Sequence, residues 1–479
     1  MADYRPQMLA ALQGRAEGYQ LYRDYYAGRH RMAYSTDKFR NAFGNVLRRF
    51  ADNLCPTVVD ALADRLEVIG FCVEEFGDQE LTAPVGGAPL PTDAAALRDE
   101  LVGLARRVWQ RNLMDTRAGA VHQETLAEGD GYVIVWPDQE DGFPRIHPQV
   151  TETIAVGYDR EQPGKLLWGA KVWRGEGGLI RLTAYYPDRI EKWTTIKRAD
   201  APPPKLTEWE PYRVPSEEWP LANPYDQVPV FHFPNNAGVG SWGVSELQSV
   251  IPLQDALNKT VMDLLVAMEF VALPQRYVTG LEVETDDLTG KLKVPFRVGV
   301  DRVWQVASPD VRFGEFAGAD LTHFIAVAQS LREEVARVTG TPLHYFSMMK
   351  DPPSGVALRA LESRFIKRAR DRQASYGDVW EDVMAFALTI LGRPGARLKS
   401  EWGPVELQDE KAHAETLLLK QQVGVSRRQL LREAGYTDAV IDQMDEERSE
   451  EGQSTGAALL KSFSAGEVGG PGGGPANYP

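Results

Sequence analysis

Apolar residues recur at helical spacing over two stretches near the end of the chain. The first carries Leu321, Phe324, Ile325, Ala328, Leu331, Val335 and Val338 on one face. It meets a stop signal at Thr339-Gly340-Thr341-Pro342. The next eleven residues, Leu343 to Pro353, show no period. Ser354 then stands where it caps a new helix after two prolines. That helix carries Val356, Leu358, Leu361, Phe365, Ile366, Ala369, Tyr376, Val379, Trp380, Val383, Met384, Ala387 and Leu391. The pattern predicts a helix about 50 Å long. A stripe this extended belongs to helical bundles or large assemblies more readily than to a compact enzyme domain.

Elsewhere the period changes twice. Helices are predicted over 5–28 and Ala42–Leu66, from a Thr92 cap through Trp109, and from an Asp115 cap through Leu126. Residues 74–92 read as an exposed loop. From Gly131 the alternation becomes that of strands: Tyr132–Trp136, Pro144–His147, Thr153–Val156, Leu166–Trp173 and Leu179–Tyr186. A Pro-rich linker is expected over 200–220, then a strand at Val228–Phe233. Ser245 and Gln248 match a capping box for a helix running to about Phe270, with a kink at Pro252. Strand character returns at Gln275–Thr279, Phe296–Val300 and Arg302–Val306. After a linker at Gly392 and Pro394, helical segments are expected at 409–422, 426–434 and 437–449. The Gly-rich tail 452–479 lacks the apolar content of a folded segment.

A chain of 479 residues, 43% hydrophobic and 25% charged, suffices for a sizeable folded core. Its formal net charge of −15 argues against a surface that holds DNA tightly. Cys55 and Cys72 sit in apolar stretches and read as buried free thiols in a reducing compartment. The polar start predicts no signal peptide. The best apolar run, Val261–Leu273, is too short and too charged to span a membrane.

Catalytic signatures are missing. Gly238-Val239-Gly240-Ser241-Trp242-Gly243 has the G-x-G-x-x-G form, but it lies four residues beyond its strand and no βαβ series follows, so a flexible turn is the better reading. No phosphate-binding G-x-x-x-x-G-K-[ST], His-Glu-x-x-His or G-x-S-x-G occurs, and the seven histidines are scattered. No enzyme activity, cofactor or metal is expected. The long helix is basic, with Arg359, Arg364, Lys367, Arg368, Arg370 and Arg372. These could meet DNA, but pairing with an acidic neighbouring copy is the preferred reading, because the rest of the chain has excess carboxylates.

The order of these parts resembles the portal proteins of tailed bacteriophages, in the branch found in long-tailed phages of Gram-positive hosts. The resembling residues are Tyr22-Arg23-Asp24-Tyr25-Tyr26-Ala27-Gly28, the run Asn53–Ala61 continuing through Leu66–Phe71, Val228–Asn235, Gly243–Leu247, Leu253–Asn258 and Pro353–Leu358. The resemblance covers about residues 15–450.

It implies an α+β, mainly helical chain of portal architecture that assembles as a dodecameric ring around a DNA channel. Residues 1–243 would be the wing, 244–270 and 318–340 the stem helices, and 271–317 the clip. Residues 341–354 would be the tunnel loop, 355–400 the long wing helix and 401–451 the crown. His344, Tyr345, Phe346, Ser347, Met348, Met349 and Lys350 would face the channel. The implied partners are other copies of the chain, double-stranded DNA, a terminase motor, major capsid and scaffolding proteins and a head-tail adaptor, with no membrane. The implied place is the capsid vertex of the virion, after assembly in the host cytoplasm. The alternatives are a DNA-processing enzyme of the phage head and a helical adaptor without a channel.

Overall fold

Met8, Leu9 and Leu12 fall on one face of the first helix, α1 (Arg5–Tyr26), and in the computed structural model all three are buried. The structure describes residues 3–31, 34, 37, 41, 51–73, 94–215, 218–238, 242–272, 276–280, 310–315, 320–346, 354–406, 410–436, 440–441, 443–445 and 447–448. The expected helical turns at 42–50, the loop at 74–92, the strands at 296–306 and the tail 452–479 lie outside these residues. The chain divides into two compact units, Met1–Val405 and Glu406–Pro479.

The first unit mixes helix and sheet. Helix α2 (Cys55–Ala63) leads into strand β1 (Val68–Val73), followed by helices α3 (Ala94–Arg111) and α4 (Met114–Glu128). Strands β2 (Asp130–Pro137) and β3 (Pro144–Gln149) pair antiparallel, and β10 (Val230–Pro234) joins the other edge of β2. A second antiparallel sheet has the order β4 (Ile154–Tyr158), β5 (Leu166–Arg174), β6 (Ile180–Tyr185), β7 (Arg189–Thr195), β8 (Trp209–Pro211), with β9 (Leu221–Ala222) also on β7. Met8, Leu9 and Leu12 pack on this sheet against Trp168, Leu182 and Trp209. Tyr132, Ile134, Ile154, Val156, Val228 and Val230 form an apolar cluster that joins strands of the two sheets.

Helices α5 (Ile251–Ala272) and α6 (Thr322–Thr339) pack on each other. Between them β11 (Arg276–Thr279) and β12 (Arg312–Glu315) pair antiparallel. Helix α7 (Gly355–Ile390) is the 36-residue element that the apolar stripe predicts. It begins where expected, because Ser354 accepts a hydrogen bond from the Ala357 N–H at 3.4 Å. Phe365, Ala369, Tyr376, Trp380, Val383 and Ala387 bury the inward face. Trp380 meets Trp109 edge-on at 5.2 Å and Phe233 at 4.8 Å, which places this helix at the centre of the largest core. Strand β13 (Leu398–Trp402) then returns to pair antiparallel with β1.

Four local expectations need correction. The single helix expected over Ala42–Leu66 is interrupted, because residues 51–54 are not helical and a helix runs from Cys55, with Pro56 in its first turn, where a missing N–H is no loss. The helix expected from Ser245 begins at Ile251. Ser245 instead donates from Oγ to the Ala127 carbonyl and accepts from the Leu247 N–H, which closes a local turn. Pro252 is then the second helical residue, and no kink arises. Asp115 does not cap α4. Leu113 holds the cap position at φ 55°, and Asp115 accepts from Trp109 Nε1 at 2.8 Å. Strands β1, β7, β8, β9, β12 and β13 are not among those the sequence pattern predicts. β7 spaces its apolar residues with Arg189, Glu191 and Lys192, β8 lies inside the Pro-rich 200–220 stretch, and β13 gains its partner 330 residues upstream, near enough in space but invisible in a local pattern.

In the second unit, α8 (Glu410–Gln422) and α9 (Arg427–Glu433) form at the expected places. Lys420 is bonded to Glu433 across the turn, and Ser426 caps α9 by accepting from the Gln429 N–H.

Candidate functional site

Three polar clusters anchor the segment before α5, the loop after α6 and the start of β2. Glu246 lies in the turn before α5. One carboxylate oxygen accepts from Arg372 Nη2 at 2.8 Å and from Asn235 Nδ2 at 3.2 Å. The other accepts from Arg368 Nη2. Arg368 also donates from Nη1 to the Thr339 carbonyl, the last helical residue of α6. This satisfies an orphan carbonyl at a helix C-terminus with a cation, which the helix dipole favours. Burial lowers the Arg368 pKa, while the Glu246 charge opposes that effect.

The second cluster supports the loop after α6. Gly340 terminates the helix at φ 67°, a conformation that favours glycine, and Arg364 lies over it. Leu343–Tyr345 then form one tight turn. Tyr345 Oη accepts from Arg65 Nη2 at 2.7 Å, and its ring lies 5.9 Å from Phe365. Arg65 stacks over Phe365 at 5.1 Å and lies 3.8 Å from Glu362. His344 Nε2 approaches the same buried carboxylate at 3.2 Å, an ion pair whenever the imidazole is protonated. Burial raises the Tyr345 pKa.

The third cluster is centred on Asp130, fully buried at the start of β2. His232 Nε2 donates to Asp130 Oδ1 at 2.8 Å, so Nδ1 is free to accept from Tyr158 Oη at 2.7 Å. Tyr19 Oη and the Gly243 N–H donate to the carboxylate at 2.7 and 2.9 Å, and Arg15 forms an ion pair with it. Burial alone would raise the Asp130 pKa, but the His232, Arg15 and Tyr19 contacts hold it below the ordinary value. Gly243 is therefore a structural glycine rather than part of a dinucleotide loop. Its backbone crosses that of Gly129 so closely that an added Cβ would overlap the Gly129 carbonyl oxygen.

The sequence-derived candidates divide accordingly. His344, Tyr345 and Phe346 are half-buried against their own chain rather than carried on a free loop. Ser347, Met348, Met349 and Lys350 lie outside the described residues. Arg368 and Arg372, expected to face an acidic neighbour, are taken up by Glu246 within the chain. Arg359, Arg364, Lys367 and Arg370 are exposed, and Lys367 pairs with Asp371 one turn on at 3.2 Å. Arg65, Glu246, Glu362 and Asp130 were not singled out as site residues. A signal existed for Glu362, because it lies on the apolar face that carries Phe365 and Ala369, where a carboxylate needs a partner. Cys55 is buried and Cys72 half-buried, and the two are not joined in a disulfide. Among the described residues no three of His, Cys, Asp or Glu are grouped as a metal site requires, and no helix is long and apolar enough to cross a membrane.

Residues 8–454 match the family described as phage portal protein, SPP1 Gp6-like, and the chain belongs to that family. Its members serve as the capsid portal for DNA packaging. The chain is 26% identical over 426 residues to the portal protein of Mycobacterium phage D29, covering 80% of this chain and 83% of the relative. It is also 26% identical over 446 residues to the portal protein of Mycobacterium phage L5, covering 83% and 84%.

Proposed function

We propose that copies of this chain close into a dodecameric ring at one capsid vertex, with α5 and α6 as the stem and the loop after α6 facing a DNA channel. The observation that carries this reading is an apolar surface that one chain leaves uncovered. Leu265 and Met268 on α5 are 39% and 48% exposed, and Ile325 and Val327 on α6 are 58% and 49% exposed. Exposed apolar side chains on both helices of a packed pair suit a contact surface. A neighbouring copy of the same hairpin supplies an apolar partner and, repeated around an axis, a closed ring.

In this reading residues 1–243 form the wing, 271–317 the clip, 341–354 the tunnel loop and 401–451 the crown. The ring joins a terminase motor during packaging and a head-tail adaptor afterwards, with capsid and scaffolding proteins around it. The chain acts as a conduit and performs no catalysis itself. Its net negative charge keeps a moving duplex from binding tightly, since like charge repels the phosphates. Tyr345, bonded to Arg65 and packed near Phe365 of α7, and His344, against Glu362 of α7, hold the base of the tunnel loop. Light scattering and negative-stain images of the purified protein test the assembly. Rings with a central hole are expected, and a monomer at high concentration in its native fold would overturn the reading.

A further inference from the structure

A groove of about 1190 Å³ opens between the two sheets of the first unit, lined by no residue of α5, α6 or the loop after α6 among the described residues. Its floor is one face of the larger sheet. Lys171 on β5 stands opposite Thr183 on β6, which stands opposite Lys192 on β7, so the two lysines flank one threonine in a single cross-strand row. Two strand spacings put their backbones about 10 Å apart. Arg117 on α4 and His147 on β3 reach the groove from the opposite wall.

This convergence of cations is unusual in a chain of net charge −15. Among the described lining residues Asp138 is the one carboxylate, and Arg145 Nε already donates to it at 2.9 Å. Among the described residues neither Arg117 nor Lys171 has an ion-pair partner. Lys171 is half-buried, with its ammonium 5.7 Å from the Trp173 ring. Burial lowers the pKa of His147, and the charges of Lys171, Arg117 and Arg145 lower it further, which reports a positive field in the groove. A half-buried ammonium such as that of Lys171, with no ion-pair partner among the described residues and an exposed arginine, Arg117, on the same groove, favours an anionic ligand.

The rest of the lining narrows the class of ligand. Trp136, Pro148, Val150, Trp173 and Leu221 give the groove apolar walls. Its volume exceeds that of usual small-molecule sites, about 300–1,000 Å³. The cations converge on one pocket, whereas a nucleic-acid strand is met by a track of charges along its backbone. A concave site with apolar walls and a cationic floor suits a peptide segment better than a convex protein face.

We propose that this groove docks an acidic peptide segment of a partner protein, which brings carboxylates to Arg117 and Lys171 and apolar side chains to Trp136 and Trp173. The test uses the full-length protein and a fluorescein-labelled dodecapeptide of alternating Glu and Leu, followed by fluorescence polarisation. Binding that weakens with salt is expected. A Lys171→Gln variant should bind roughly threefold more weakly, from the loss of one charge contact. Arg117→Gln, on an exposed helical position that leaves the sheet untouched, should weaken binding in the same direction and guards against a folding artefact. No binding by the unmodified protein, or equal binding by it and either variant, overturns the proposal. So does a labelled single-stranded oligonucleotide that displaces the peptide and shows the same losses, because the groove would then be a nucleic-acid site.

Discussion

Arg372 on the long helix donates from Nη2 to Glu246 Oε1 at 2.8 Å, across 126 residues of sequence. Both side chains are buried, at 9% and 10% exposure, and Arg368 shares the same carboxylate. The turn before α5, the end of α6 and α7 are therefore held by one acidic group.

Replacing that group leaves two guanidinium groups without their counter-charge. Glu246→Ala is expected to destabilise the chain by about 3–5 kcal/mol, the usual cost of breaking a buried pair from one side. Glu246→Gln keeps the shape and part of the hydrogen bonding and should cost less. Urea unfolding of the two variants measures the difference. Equal stability of Glu246→Ala and the parent chain would show that the cluster contributes nothing.

Gly243 should tolerate no side chain. A Cβ there would overlap the Gly129 carbonyl and crowd the Asn235 N–H at 2.6 Å, both rigid backbone groups. Gly243→Ala is expected to cost at least about 2 kcal/mol through backbone displacement and weakened hydrogen bonding to Asp130. Thermal melting checks this, and an unchanged midpoint would refute the close crossing.

His122 gives the first unit an acid-sensitive element. Trp380 Nε1 donates to His122 Nε2 at 2.8 Å, so the ring proton is on Nδ1, which donates to the Leu66 carbonyl at 2.9 Å. Burial lowers its pKa to about 4, against an ordinary value of 6.5. Between these two values the unfolded chain binds the proton and the folded chain does not, so stability falls as pH drops from 6.5 towards 4. The full increment is about 3 kcal/mol. Glu128 opposes this trend, because burial raises its pKa to about 7 and the folded chain takes up its proton first. The His122 share is isolated by comparing the parent chain with His122→Gln in urea titrations from pH 7 to pH 4. The stability gap should narrow as pH falls, and a constant gap would count against a buried neutral imidazole.

The loop after α6 is anchored at its base by Tyr345. Tyr345→Phe removes the hydrogen bond to Arg65 and is expected to cost about 1–2 kcal/mol without preventing ring formation. A short Gly-Ser replacement of residues 347–350 should leave thermal stability unchanged and impair DNA packaging or retention. Normal packaging and retention in infected cells with that replacement would deny these residues a role at the DNA.

The chain's local pattern was enough to determine the long helix, its Ser354 cap and the stop at Gly340, because apolar period and capping chemistry act within a few turns. The order of such segments was also enough to suggest the portal family. What Arg368 and Arg372 do was decided only by the tertiary structure. A row of cations on a helix looks the same whether it faces solvent, DNA or a neighbour, and Glu246 reaches it only once the chain has folded back. The same holds for Glu362, for the Asp130 cluster and for β13, whose partner strand lies 330 residues away. Helical periodicity is written in neighbouring residues, whereas ion pairs and strand pairing depend on which distant segments the packed core brings together.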